Sequence, residues 1–202
     1  MDSLTVLYTY GLRGDFALLP RLHTFIMQLK AEHDTKALVL DLGASCDESV
    51  WHCEATKGRS TLLVLDGMGY HAVNVSGILS SADRDRLASS VTTGMVTERH
   101  GWRYFVPPVR DDDIVVAGKP TPALTLCIVA RPAEKNQLSE RILSLQAVEK
   151  AQVGMVKIDM GEMKISNSAI FEMPKGLKPD ATIAASIELV EDEARQAQKR
   201  QS

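Results

Sequence analysis

The first 80 residues alternate between short apolar runs and longer amphipathic segments, and this alternation restricts the fold more than any other feature. The apolar runs predict strands at Leu4–Tyr8, Ala37–Asp41 and Ala72–Val75. Helices are predicted at Phe16–His33, where apolar residues recur at steps of three and four, and at Arg59–Met68, which ends at a glycine. Such a β-α-β-α-β order is typical of a parallel sheet with right-handed crossovers.

The second half of the chain is rich in β-type segments. After a helix predicted near Ala82–Val91, short apolar segments follow one another, separated by prolines. Several are close enough in sequence to pair as antiparallel hairpins. A closing helix is predicted from Ala181 to about Lys199, with Ile183, Ile187, Val190 and Ala194 on its apolar face. The β-type segments are Trp102–Val106, Ile114–Val116, Leu124–Ala130, Ile142–Leu145, Val153–Met160 and Lys164–Glu172.

Length and composition are those of an ordinary globular protein. We expect a single domain over residues 1–202, with a β-α-β-α-β half over about 1–95, a β-rich half over about 96–176 and a helix over about 180–199. Apolar residues make up 45% of the chain, enough for a core without disulfides or metals. The net charge of −3 gives no indication of binding to nucleic acid or to an anionic membrane, so we expect neither as a partner.

The cysteines and the N-terminus bear on the cellular compartment. Cys46, Cys53 and Cys127 are an odd number without the spacing of a disulfide framework, which favours a reducing compartment. The first residues lack the basic and apolar regions of a signal peptide, and no stretch reaches the roughly 18–20 apolar residues of a membrane span. If the sequence is complete, we expect a cytoplasmic protein.

Three segments resemble the calcineurin-like metallophosphoesterases, most closely their 5′-nucleotidase-like branch. Val6–Leu22 has the layout of the first metal-binding turn of that family: a strand, a Gly-containing turn and a helix that opens with a Pro. Leu38–Ser49 and Gly69–Ser80 resemble the next two motifs, in the same order and at the same spacing. The resemblance implies a metallophosphoesterase-like α/β sandwich with helices outside.

The positions that hold metal ligands in that family carry other residue types here. A binuclear site holds two ions about 3.5–4 Å apart and needs several carboxylate and imidazole ligands for each ion. Only Arg13 has a polar side chain at the matching positions, and its guanidinium repels a divalent ion. We therefore expect no metal, no cofactor and no catalytic residue of the family type. The degenerate metal positions are Gly11, Arg13, Ala44, Gly77 and Ile78.

The loop after the second strand contains a cysteine, a carboxylate and a histidine close together. With Arg13, the residues Cys46, Asp47 and His52 could form an altered hydrolytic site. The spacing of Cys46, His52 and Cys53 lacks the paired geometry of structural zinc. His52 and Cys53 are adjacent in sequence, so their side chains point apart and a Cys–His nucleophile pair is disfavoured. Ordinary loop residues are the favoured interpretation.

Arg13 has a second chemical interpretation as an anion anchor. A guanidinium at the mouth of the sheet could hold a phosphate or carboxylate. Gly11 and Gly14 would let backbone N–H groups approach such an anion. A surface arginine at a loop tip is the simpler interpretation and is favoured.

These observations predict a catalytically inactive metallophosphoesterase-like protein that acts as a binding or assembly module. Its partner would be an unidentified protein or a second copy of the chain. One alternative is an active phosphoester or nucleotide hydrolase with an altered site. The other is a metal-free phosphate or nucleotide sensor anchored by Arg13.

Overall fold

The computed structural model describes residues 3–104, 114–123 and 125–201, which form two β-sheets and a layer of helices. The strands are β1 (Ser3–Thr9), β2 (Leu38–Asp41), β3 (Ala72–Asn74), β4 (Gly94–Val96), β5 (Trp102–Tyr104), β6 (Ile114–Ala117), β7 (Leu126–Ala133), β8 (Gln137–Ser139), β9 (Ile142–Gln146), β10 (Gln152–Asp159) and β11 (Lys164–Glu172). The helices are α1 (Leu19–His33), α2 (Trp51–Thr56), α3 (Arg59–Gly67), α4 (Ser81–Leu87) and α5 (Ala181–Gln201).

The first sheet has the strand order β11-β10-β1-β2-β3-β4. Strands β1 to β3 are parallel and lie side by side in chain order, as the β-α-β-α-β pattern predicts. Strand β4, which no predicted strand covers, continues the parallel order. Because each right-handed crossover moves in the same direction across the sheet, the connecting helices fall on one face. There α1, α3 and α5 bury a core against Leu7, Val39 and Val73 of the sheet.

The second sheet covers the other face of the first. Its order is β5-β6-β7-β9-β8. The core between the two sheets includes Val6 and Leu40 from the first and Ile128 and Leu143 from the second. The expected α/β sandwich is therefore confirmed, with two packed sheets and the C-terminal helix in the layer on one side.

The pairing of the β-rich half differs in part from the expectation. The hairpin β10–β11 and the pair β5–β6 are antiparallel, as expected. Strand β8, which no predicted segment covers, is antiparallel to β9. However, β6–β7 and β7–β9 are parallel. Segments that follow one another in the sequence do not always become neighbouring strands. In the chain β7 is followed by β8, but in the sheet β9 lies between them, and β8 pairs with the other edge of β9.

Several boundaries also shift. Helix α1 begins at Leu19 instead of Phe16, because residues 15–18 form a turn in which Leu18 donates to Asp15. Helix α2 lies within the segment expected to be loop.

Residues 105–106 and Leu124, which belong to two of the predicted strands, lie outside the described residues. The single domain over 1–202 and its division near residue 95 stay predictions. Across the described ranges, none of the helices has the length and apolar character needed to cross a membrane.

Candidate functional site

Two loops at the carboxyl edge of the first sheet are joined by backbone hydrogen bonds. We call residues 10–18, which follow β1, the β1 turn, and residues 42–50, which follow the neighbouring β2, the β2 loop. Three amides of the β1 turn donate to three carbonyls of the β2 loop: Gly11 to Gly43 at 3.0 Å, Arg13 to Ala44 at 3.0 Å and Gly14 to Ser45 at 2.7 Å. The N–H groups of Gly11 and Gly14 are therefore paired inside the protein, whereas the anion-anchor interpretation of Arg13 needs them free.

The guanidinium of Arg13 is exposed at a shallow cavity of about 490 Å³. The cavity is lined by three carboxylates, Asp15, Asp47 and Glu191, and by two cations, Arg13 and Lys150. Lys150 already forms an ion pair with Asp15. Hydrogen bonds from Ser49 are the main cause that lowers the pKa of the Asp47 carboxyl, and the charge of Arg13 contributes less. Glu191 forms an ion pair with Arg195 at 3.2 Å, so the carboxylates at this cavity are matched by nearby cations.

Beneath the two loops lies a buried hydrogen-bond chain that starts at the end of β2. Thr9 donates to one oxygen of Asp41 at 2.9 Å, and the amide of Gly43 donates to the other at 2.9 Å. The hydroxyl of Tyr70 lies 3.0 Å from that of Thr9, and since the Thr9 proton goes to Asp41, Tyr70 is the donor. Burial raises the pKa of Asp41 to about 7, although the two hydrogen bonds act in the opposite direction.

No sequence motif marks Asp41 or Asn74 as a site residue. The only signal for Asp41 was a carboxylate at the end of an apolar run. Asn74 ends β3 and donates to the carbonyl of Ala130 in the second sheet at 2.6 Å. Its side-chain oxygen accepts from the amide of Ser76, so this residue both links the sheets and shapes the turn after β3.

His52 is a buried histidine whose two ring nitrogens both have partners. Its Nε2 lies 2.9 Å from the carbonyl oxygen of Gly14, which can only accept, so Nε2 carries the proton. Nδ1 then accepts from the Ser60 hydroxyl at 2.8 Å, and Phe16 stacks on the ring at 3.8 Å. Burial lowers the pKa of His52. The ring therefore holds the β1 turn against α2.

Cys46 and Cys53 form a disulfide, which corrects the interpretation of both as ordinary loop cysteines. Helix α2, which sequence periodicity does not predict, folds the chain back and brings the two Cα atoms to 5.9 Å. The hydroxyl of Thr61 lies 3.1 Å from the sulfur of Cys46 and 3.6 Å from that of Cys53. Cys127 is free and buried. The expectation of a reducing compartment rested on an odd number of cysteines without framework spacing, and the Cys46–Cys53 disulfide removes its basis.

The remaining degenerate metal positions line a second cavity, on the other side of the β2 loop from the β1 turn. Gly77 and Ile78 follow β3 and line a cavity of about 720 Å³ together with the disulfide. Ile78 packs on Gly58, where an added Cβ would come within 2.3 Å of its side chain. Of the five positions, the structure therefore brings Gly11, Arg13 and Ala44 together and leaves Gly77 and Ile78 beside the neighbouring cavity. Over the described ranges no three His, Cys, Asp or Glu side chains are grouped so that they could hold a metal ion.

Comparisons with known proteins add little to this geometry. No family model matches the sequence, and no curated protein matches it. Among solved structures, the chain is similar to a conserved uncharacterized protein from Streptococcus pneumoniae that is described as a predicted phosphoesterase, with 11% sequence identity and a TM-score of 0.36. The similarity covers 85% of this chain and 99% of that one. At this level it carries no inference about the site.

Proposed function

We propose that this protein is a catalytically inactive, metallophosphoesterase-like binding or assembly module. The observation that supports this most is that backbone hydrogen bonds join the β1 turn and the β2 loop at the carboxyl edge of the first sheet. Gly11, Arg13 and Ala44 meet there through backbone hydrogen bonds, and none of them presents a carboxylate or an imidazole. Metal-assisted phosphoester hydrolysis needs several such ligands facing a common space.

An altered hydrolytic site is less well supported, because the residues it would use have other roles. Cys46 is held in the disulfide, so it is not available as a thiolate. Both nitrogens of His52 are hydrogen-bonded, so the ring has no free position from which to accept a proton from a substrate or water. Asp47 accepts hydrogen bonds from the amide and the hydroxyl of Ser49.

A phosphate or nucleotide sensor anchored by Arg13 is also less well supported. Three carboxylates face the cavity at Arg13, of which Asp15 is paired with Lys150 and Glu191 with Arg195. The charge of Arg13 already acts on the Asp47 carboxylate, and an anion placed there would compete with that carboxylate for it. The amides expected to assist Arg13 are already paired within the protein.

A hydrolase assay tests the proposal. The purified protein should show no turnover above the blank on p-nitrophenyl phosphate, its diester or nucleotides, with and without Mn²⁺, and elemental analysis should find no stoichiometric metal. Turnover that is abolished in Asp47→Ala, or one bound metal per chain, would contradict it.

Light scattering supplies the positive test, since an assembly module should have a mass above the 22.1 kDa of one chain or retain a stoichiometric partner. A monomer without a partner at all concentrations would count against it.

Thermal unfolding in the presence of ligands separates the phosphate or nucleotide sensor from the assembly module. Thermal unfolding with phosphate or nucleoside monophosphates should leave the transition temperature unchanged in wild type and in Arg13→Ala alike. A ligand-dependent rise that is lost in Arg13→Ala would favour the sensor over the assembly module.

A further inference from the structure

The Cys46–Cys53 disulfide lies in the wall of the 720 Å³ cavity. Both cysteines line this space, which is formed by the β2 loop, the junction between α2 and α3, and the turn after β3. A cavity of this size admits a small organic molecule. The reactive bond therefore faces a space that a small thiol can enter.

The two sulfurs differ in accessibility. Cys46 is half-buried in the β2 loop, whereas Cys53 is buried in α2. The backbone of Gly14 closes over Cys53, because a Cβ added at Gly14 would lie only 2.7 Å from the Cys53 sulfur. Thiol–disulfide exchange requires an approach to the attacked sulfur along the S–S axis, so Cys46 is the accessible target and Cys53 the leaving group.

Thr61 is placed to assist the departure of Cys53. Its hydroxyl is buried and lies within hydrogen-bond range of both sulfurs. When the bond breaks, the hydroxyl can donate to the new thiolate of Cys53. A hydrogen bond to an anionic acceptor is stronger than one to a neutral acceptor, so this contact favours the exchange product.

The charge around the cavity selects among thiols. Three carboxylates, Glu48, Glu54 and Asp83, and one cation, Lys57, line it. Asp83 is paired with Arg86 outside the lining, so the excess of negative charge comes from the two glutamates. Both glutamates are exposed at its rim. An excess of negative charge raises the local concentration of cations and repels anions.

We propose that this cavity is a thiol–disulfide exchange site for a small cationic aminothiol. The thiolate of the aminothiol attacks the sulfur of Cys46 and forms a mixed disulfide, while the bond to Cys53 breaks and its electron pair stays on Cys53 as a thiolate. A second aminothiol thiolate then attacks the sulfur of the first, releasing a small disulfide and the thiolate of Cys46. Two thiols are oxidised, the protein disulfide is reduced, and both cysteine thiolates take up the protons that the thiols lost. This site does not depend on whether the protein is catalytically inactive as a phosphoesterase.

Three probe thiols of different charge test the proposal on the wild-type protein. Cysteamine is cationic, 2-mercaptoethanol neutral and 3-mercaptopropionate anionic. Each rate of reduction is divided by the rate of the same thiol with a neutral linear disulfide, which cancels differences in thiol reactivity. Cysteamine should then exceed 3-mercaptopropionate by roughly tenfold at low salt, and the ratio should fall as salt is added. Equal normalised rates would overturn the proposal.

Variants and peptide mapping identify the residues. Glu48→Gln with Glu54→Gln should remove most of the preference for cysteamine, and Thr61→Val should slow all three thiols. Mass spectrometry should find the mixed disulfide on Cys46, with Cys127 unmodified as the buried internal control. In Cys53→Ser, the remaining Cys46 should react faster with cystamine than Cys53 does in Cys46→Ser. A mixed disulfide on Cys53, or reduction no faster than global unfolding, would show that the disulfide is structural only.

Discussion

Gly11 and Gly14 have almost the same backbone conformation in very different surroundings. Their φ angles are +70° and +72°, in the left-handed region that side chains with a Cβ disfavour. A Cβ at Gly11 would meet no atom within 4 Å, whereas one at Gly14 would lie 2.7 Å from the Cys53 sulfur and 3.0 Å from His52. Because that sulfur is fixed in a disulfide, it cannot move aside as a flexible side chain would.

This pair gives a matched prediction. Gly11→Ala should cost about 1–2 kcal/mol, the penalty of the left-handed conformation alone. Gly14→Ala should cost clearly more, because the same penalty is joined by a steric clash at the disulfide. Urea unfolding of the two variants checks the difference. Equal losses of stability would mean that the packing of the β1 turn on Cys53 is looser than described.

The site residues differ in how far the sequence could reveal them. Arg13 and Gly11 were visible because a motif gives each position a meaning, although their backbone pairing with the β2 loop was not. Cys46, His52 and Cys53 form a cluster in the sequence, but the disulfide between the two cysteines and the contact of His52 with Ser60 depend on helix α2 and the chain that follows it. Asp41 carried no motif, and only its complete burial beside Thr9 makes it unusual.

At the scale of elements, periodicity was informative where segments were long. Helices α1 and α5 carry apolar residues over many turns. Strand β2 follows a continuous apolar run, and β1 and β10 are long segments rich in apolar residues. Helix α2 spans only six residues, too few to establish a period. The parallel pairing of β6 with β7 depends on contacts between distant segments, which a local pattern does not contain.

Helix α5 allows a direct test of its predicted apolar face. Ile187 is 8% exposed and belongs to the core under the helix layer, whereas Leu189 is 69% exposed on the same helix. Ile187→Ala should lower the free energy of unfolding by about 2–4 kcal/mol because it leaves a cavity. Leu189→Ala should change it by less than about 0.5 kcal/mol. Both substitutions replace an aliphatic residue by the same good helix former, so a similar loss in the two would contradict the packing of α5.

For the molecule as a whole, the buried carboxyl of Asp41 couples stability to pH. Its pKa in the folded protein, about 7, is above its ordinary value, so the folded state holds this proton more tightly than the unfolded state. The stabilisation is fully present below the ordinary pKa of about 3.9 and is lost as the pH rises through about 7. The cost at high pH is that of a buried carboxylate, which hydrogen bonds from Thr9 and Gly43 offset only in part.

Asp41→Asn should remove this dependence. The amide has nearly the same shape, can accept from Gly43 and can donate to Thr9. Between pH 5 and pH 8 the wild type should lose stability relative to the variant by an amount on the order of a few kcal/mol. Chemical denaturation at both pH values measures it. Asp47→Asn is the control, since that carboxyl is exposed and its pKa is lowered; parallel pH curves for wild type and Asp41→Asn would refute the assignment.

The central place of β1 has a consequence for how the chain is made. β1 lies between β2, which is synthesised soon after it, and β10, with which it pairs from Ser3↔Asp159 to Tyr8↔Gly154. Until β10 leaves the ribosome, one edge of β1 has no strand beside it, and an open strand edge is a template for pairing with other chains. The growing chain therefore completes its first sheet only after β11 has been synthesised. A premature stop in the β-rich half would release a fragment with this edge exposed, and its fate would be aggregation or degradation.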